Sequence, residues 1–168
     1  MTEENTAMRC LSLSVACTFF LLSGCGGRGP TTPGSVSASD LTTAPTTIVL
    51  AGKTLILGTS LWRDFMPIAP PDGTPLVALL RVKTGDGSAV PATVSADTVW
   101  VIHGAQIWSG LLQEERSRAE TMPMYEVVAR EGPKWDPGIT VDVVVRLRDA
   151  SGRAFLLRAT GQVIRGTF

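Results

Sequence analysis

His103, in the run Trp100-Val101-Ile102-His103-Gly104, is the only histidine in the chain. A histidine acting as general base needs a nucleophile within hydrogen-bond reach and a carboxylate to orient it. The sequence has no Gly-x-Ser-x-Gly elbow or comparable nucleophile motif. His103 sits where an apolar run meets a glycine, so it reads as a turn residue. The catalytic alternative is a hydrolase site assembled from His103 and scattered acids. The carboxylates form no evident pair. Asp142 and Asp149 are seven positions apart and would face opposite sides of a regular strand. Glu114, Glu115 and Glu120 alternate with Arg116 and Arg118, the pattern of a solvated face. Asp72-Gly73 and Asp86-Gly87 are turn dipeptides, and no loop gathers the acids that calcium requires. No metal and no cofactor is expected, and a non-enzyme is the leading expectation.

Four tryptophans are the residues best suited to binding. Trp100 lies between valines and reads as core, and Trp108 follows Ile107 at a strand end. Trp62 precedes Arg63-Asp64-Phe65. Trp135 lies in Gly132-Pro133-Lys134-Trp135-Asp136-Pro137-Gly138, where two prolines restrict the backbone. Such a ring either plugs the end of the domain or offers a flat platform to a sugar ring or an apolar partner. The plug is the favoured reading. Met66-Pro67-Ile68-Ala69-Pro70-Pro71 is a second stiff loop with apolar side chains. Trp135, Trp62, Met66 and Ile68 are therefore the candidate binding residues.

The elements that must position these residues read as strands. From Thr46 onward, short β-branched runs alternate with Gly, Pro and Asp turns. Strands are expected near Thr47–Leu50, Thr54–Leu61, Leu76–Lys83, Val90–Val94, Thr98–Ile102, Ala105–Trp108, Tyr125–Arg130, Ile139–Arg148 and Arg153–Arg165. The clearest is the alternation of Val141, Val143, Val145 and Leu147 with Asp142, Val144, Arg146 and Arg148, which describes a half-buried strand. Gly152 is placed to supply a left-handed residue in the hairpin turn that follows. Leu111–Glu120 is rich in helix formers, and Glu114 and Arg118 are four apart, so a short helix or a long hairpin tip is expected there. The fold class is all-β. A two-sheet immunoglobulin-like sandwich of about seven to nine strands is the first choice, and a small closed barrel is the second.

Charge excludes one class of partner. Fifteen Lys and Arg balance fifteen Asp and Glu, so no bulk positive field recruits nucleic acid. Basic residues on strand positions (Arg81, Lys83, Arg146, Arg148, Arg153, Arg158 and Arg165) could bind an acidic glycan or lipid head groups. Solubility and protection of sheet edges explain them more simply.

The N-terminal stretch has a different texture. Arg9 precedes Cys10–Leu22, an apolar run of about thirteen residues, shorter than the roughly twenty needed to span a bilayer and suited to the h-region of a secretory signal. Met8 offers a more basic start than Met1, because it leaves Glu3 and Glu4 behind. The run ends in Leu22-Ser23-Gly24-Cys25. Over residues 8–25 the chain resembles a bacterial lipoprotein signal peptide with its lipobox. The resemblance implies cleavage before Cys25 and acylation of that cysteine on its sulfur and its new amino group. Two or three acyl chains give stable anchoring where one would be marginal. Gly26 rather than Asp after the cysteine implies the outer membrane in a diderm bacterium. Cys10 and Cys17 would leave with the signal, so the mature domain would have neither a thiol nor a disulfide.

The expected organisation is a cleaved signal (1–24), a lipidated Cys25 with a Gly/Pro/Ser/Thr-rich tether (25–45), and one β-domain (46–168). The expected function is a lipid-anchored envelope lipoprotein with a non-catalytic binding or structural module. Its partner would be an envelope protein or a glycan. Alternatives are the hydrolase around His103 and an accessory subunit of an envelope complex.

Overall fold

A computed structural model describes residues 36–115 and 123–168. The lipobox, Cys25, the start of the tether and residues 116–120 of the expected helix lie outside the described residues. Among the described residues there is one short helix, α1 (Ala38–Thr43), and eight strands: β1 (Thr47–Leu50), β2 (Lys53–Asp64), β3 (Leu76–Thr84), β4 (Ser95–His103), β5 (Gln106–Leu111), β6 (Met124–Gly132), β7 (Thr140–Arg148) and β8 (Ala154–Thr167). Among the described residues, no helix is long and apolar enough to cross a membrane.

The strands form a curled mixed sheet in the order β5-β4-β7-β8-β2-β3-β6, with β1 paired to β2. All pairings are antiparallel except β2 with β8, which runs parallel from Leu61↔Ile164 to Asp64↔Thr167. β8 makes the curl possible by changing partners. Its first part pairs with β7 as far as Val163, and its last residues pair with β2. The register shifts between Val141 and Val143, opposite this change. There Asp142 Oδ1 accepts the N–H of Gly161 at 2.8 Å, and Gly161 has φ +67°. A bulge of this kind bends a strand and increases its twist.

Period-two patterning puts one face of each strand inside the curl. In β3, Leu76, Ala78, Leu80, Val82 and Thr84 are buried and the residues between them are half-exposed. Val141, Val143, Val145 and Leu147 of β7 meet them in one core with Leu55, Leu61, Val99, Val101, Val127, Leu157 and Ile164. The single tyrosine, Tyr125, reaches across from β6, and its hydroxyl accepts the Ala96 N–H at 3.2 Å. That donor stands at the register shift between Ala96 and Thr98, where the β4–β7 ladder is interrupted. The tyrosine thus satisfies a half-buried group that the bulge strands.

Three expectations change. Val90–Val94 is not a strand. Pro91 lacks an N–H, and a turn closes with Val94 N–H on Pro91 O at 3.0 Å; Val90 and Val94 are still buried, as stoppers at that end of the core. Residues 112–115 are not helical, and Gln113 forms an isolated antiparallel bridge to Val128 of β6. Finally, residues 36–45, assigned to the tether, belong to the folded unit, which begins at Val36. Ser37 caps α1 by accepting the Asp40 N–H at 3.1 Å, and Asp40 accepts the Ser37 N–H at 3.1 Å, a reciprocal capping box. Leu41 and Ala44 pack on Trp100, Ile102 and Val144 in a second apolar cluster outside the curl. Val144 is consequently buried although it faces away from the main core.

The turns follow their chemistry. Gly152 is left-handed at φ +79°, as the sequence indicates, and Asp149 Oδ1 collects the N–H groups of Ser151 and Arg153 at 2.9 and 3.0 Å.

Candidate functional site: the Arg63 end

Strand directions gather three connections and the C-terminal residues at one end of the sheet. These are the β2–β3 loop (65–75), the β4–β5 turn after His103, the β6–β7 loop (133–139) and Thr167-Phe168. Arg63 holds this end together. Strand alternation places it on the inner face of β2, two residues after Leu61, and it is 2% exposed. Its Nε donates to Thr74 O at 2.8 Å and its Nη1 to Lys134 O and Trp135 O at 3.0 and 3.1 Å. Nη2 donates to Asp72 O. One guanidinium therefore binds backbone carbonyls from both loops. Its planar, divergent donors suit that task, and a lysine ammonium could not reproduce it.

Contacts at the surface reinforce the clamp. Lys134 Nζ lies 2.6 Å from Asp72 Oδ2, and this hydrogen bond is the main reason that the Asp72 carboxyl titrates below its ordinary value. The Arg63 guanidinium carbon lies 4.8 Å from the Phe65 ring centroid, and that ring stacks on Phe168 at 5.2 Å. Gly73, at φ +75°, packs so tightly that a Cβ would stand 2.5 Å from a Phe65 ring carbon. Asp64 Oδ1 accepts the Met66 N–H and the Thr167 hydroxyl, both at 2.9 Å.

The four candidate binding residues do not form one patch. Trp135 is half-buried and packs on the main core, with its ring 5.7 Å from that of His103. Met66 and Ile68 project into solvent, 44% and 98% exposed. Arg63 binds the backbone of both loops, so Trp135 and Met66–Ile68 share an end. Trp62 is elsewhere: it faces outward from β2, level with Val77 and Arg165. Sequence reading missed Arg63. Its signal was its position in the inward phase of β2, which is visible once Leu55 and Leu61 fix that phase.

His103 Nδ1 lies 3.3 Å from Thr140 O. The polar and ring contacts of His103 among the described residues are this backbone carbonyl and the Trp135 indole, and no carboxylate is among them. No group of three or more His, Cys, Asp or Glu among the described residues could hold a metal ion. Several strand-face arginines are engaged in ion pairs. Arg146 and Arg148 both bind Asp97, at 2.6 and 2.5 Å, and Arg81 binds Glu126 at 2.7 Å. Arg158 binds Asp142 at 2.6 Å, so Asp142 pairs across to β8 and not with the arginines of its own strand. Partial burial opposes ionisation of Asp97, but the hydrogen bonds from Arg146 and Arg148 outweigh it and hold that carboxyl below its usual range. These ion pairs engage Arg81, Arg146, Arg148 and Arg158 within the sheet, with Arg146 and Arg148 sharing one carboxylate. No protein-family model matches the chain, and no curated protein and no solved structure is significantly similar to it.

Proposed function

We propose that the chain is a lipid-anchored envelope lipoprotein whose folded part is a non-catalytic binding module of immunoglobulin-like sandwich type. The observation that carries the binding role is the Arg63 clamp. A buried guanidinium on four carbonyls fixes two loops in one geometry, and one of those loops displays Met66 and Ile68 to solvent. Preorganised apolar side chains lose little entropy on binding. An envelope protein fits this display better than a glycan does, because Met66 and Ile68 present apolar side chains to solvent while the half-buried Trp135 ring packs on the main core. The sandwich reading is supported by strand order. In the one curled sheet, β2, β3 and β6 follow one another at one end of the order and β5, β4, β7 and β8 at the other, and β2 runs parallel beside β8, an order that two facing layers of a sandwich would also have. The anchor reading rests on Arg9, the apolar run Cys10–Leu22 and the Leu22-Ser23-Gly24-Cys25 box.

Co-purification from detergent-solubilised membranes tests the binding role. Ile68→Asp should release partners that the unaltered chain retains, and His103→Ala should retain them. The reverse pattern overturns the proposal. Mass spectrometry tests the anchor: the membrane-extracted protein should begin at an acylated Cys25, and Cys25→Ser should leave an unlipidated precursor.

A further inference from the structure

Residues 36–45 are attached to the β-domain without being built into its core. Leu41 and Ala44 pack on Trp100, Ile102 and Val144 of β4 and β7, in a cluster flanked by Val36 and Leu156. The main core inside the curl includes no residue of this segment. Much of its polar surface is satisfied internally. Ser37 and Asp40 cap each other, and the hydroxyls of Thr42 and Thr43 donate to Ser39 O at 3.1 and 2.8 Å. Among the described residues, two hydrogen bonds join the segment to the sheet, both donated by Arg158 of β8. Its Nη1 binds Thr42 O, and its backbone N–H binds Pro45 O at 2.8 Å.

Such a segment can leave as a unit. A helix of six residues does not persist in water by itself, so undocking and unwinding are one event. Arg158 still binds Asp142 Oδ2 at 2.6 Å once the segment has left. Trp100, Ile102 and Val144 become uncovered, and burying that apolar surface again draws the segment back. The next element is a stop. β1 pairs with β2 from Thr47↔Ile56 to Leu50↔Lys53 and contributes Leu50 to the main core.

We propose that residues 36–45 are a releasable strap between the Cys25 anchor and the β-domain, undocking under tension while the sheet stays folded. This rests on the anchor and on the docking role of Met66 and Ile68 proposed above. The covalent chain from Cys25 to Val36 spans at most about 40 Å, and from Cys25 to Thr46 about 75 Å. Release therefore nearly doubles the distance from the membrane at which the domain can hold a partner. A partner that moves away from the membrane loads the chain from Cys25 toward Ile68, and the strap meets that load before β1 does. The Arg63 clamp binds Asp72, Thr74, Lys134 and Trp135 and none of residues 36–45, so the docking end keeps its geometry.

Optical tweezers on the unlipidated full chain test the strap without requiring the anchor. Cys10→Ser and Cys17→Ser leave Cys25 as one handle, and Ile68→Cys supplies the other. Extension should show a reversible first step before the sheet opens, with a contour gain of about 35 Å less the span of the docked strap. Leu41→Asp should abolish that step and leave the sheet opening at unchanged force, with the β-fold verified by circular dichroism. Strap and sheet opening in a single step, or a first step that survives Leu41→Asp, overturns the proposal. Acylation of Cys25 is read separately by mass spectrometry: an unacylated cysteine removes the anchor, whereas single-step extension removes the strap.

Discussion

Replacement of Arg63 by Met keeps much of the aliphatic stem and removes the guanidinium. Four carbonyl oxygens, on Asp72, Thr74, Lys134 and Trp135, then lose their donor at a position 2% exposed. A buried acceptor left unpaired costs about 1–3 kcal/mol. Two effects offset part of that loss. The variant no longer desolvates a cation, a cost of several kcal/mol in a protein interior, and loop carbonyls can swing toward water. The net destabilisation should be about 3–4 kcal/mol. Because the lost bonds are concentrated in loops 65–75 and 133–139, part of the damage should be local. Urea unfolding followed by tryptophan fluorescence gives the global term, and limited proteolysis gives the local one, with new cleavage expected in the two loops. Arg63→Lys should recover only part of the loss, because an ammonium cannot fork to carbonyls on both sides. A Met variant within about 1 kcal/mol of the unaltered chain, well under the loss of even two of these bonds, with protected loops, would refute the clamp as the organiser of this end.

Leu41→Ala should cost about 2–4 kcal/mol by opening the outer cluster, and a chain begun at residue 46 should melt lower than one begun at residue 36; equal melting temperatures would show that α1 contributes nothing. Trp135→Ala should cost about 2–3 kcal/mol in urea unfolding, less than a fully buried ring would, since the indole is half-buried. Asp97, whose carboxyl is held below its usual range in the folded state, stabilises the fold above the ordinary carboxylate range, and that contribution disappears as pH falls through its lowered value. Asp97→Asn should therefore be less stable near neutrality and lose less stability on acidification, as thermal melts from about pH 7 to about pH 3 would reveal.

Sequence reading located strands well where one face alone is buried. The alternation around Val141–Leu147 marked β7 because the inner positions are apolar and Asp142, Arg146 and Arg148 are not. It misplaced elements where local composition and tertiary context diverge. Val90–Val94 has strand-like residues, but Pro91 turns the chain and the valines are buried as a stopper. α1 is only six residues long, too short for a helical period to register, and its Ser/Thr-rich neighbours resemble a tether. Its signature was the Ser37-x-x-Asp40 capping box together with Leu41, whose burial depends on a sheet face that no local pattern reveals.

The candidate site presents a different obstacle. Trp135 and the Met66–Ile68 loop were each recognisable from residue type, since proline-stiffened loops bearing large apolar groups stand out from their polar surroundings. What joins them is a charged residue in an inward strand position, and composition offers no reason to look for a cation there. Burying Arg63 is tolerable only because four carbonyls from two loops converge on it, and that convergence depends on strand directions set about seventy residues apart. The strand-face arginines are the reverse case. Residue type allows a cationic surface but favours solubility and edge protection, and in the fold Asp97, Glu126 and Asp142 pair with Arg81, Arg146, Arg148 and Arg158. Only cross-strand register brings these partners together, setting Arg146 and Arg148 on one carboxylate. Register, rather than residue type, therefore decides which charges remain available to a partner and which serve the sheet.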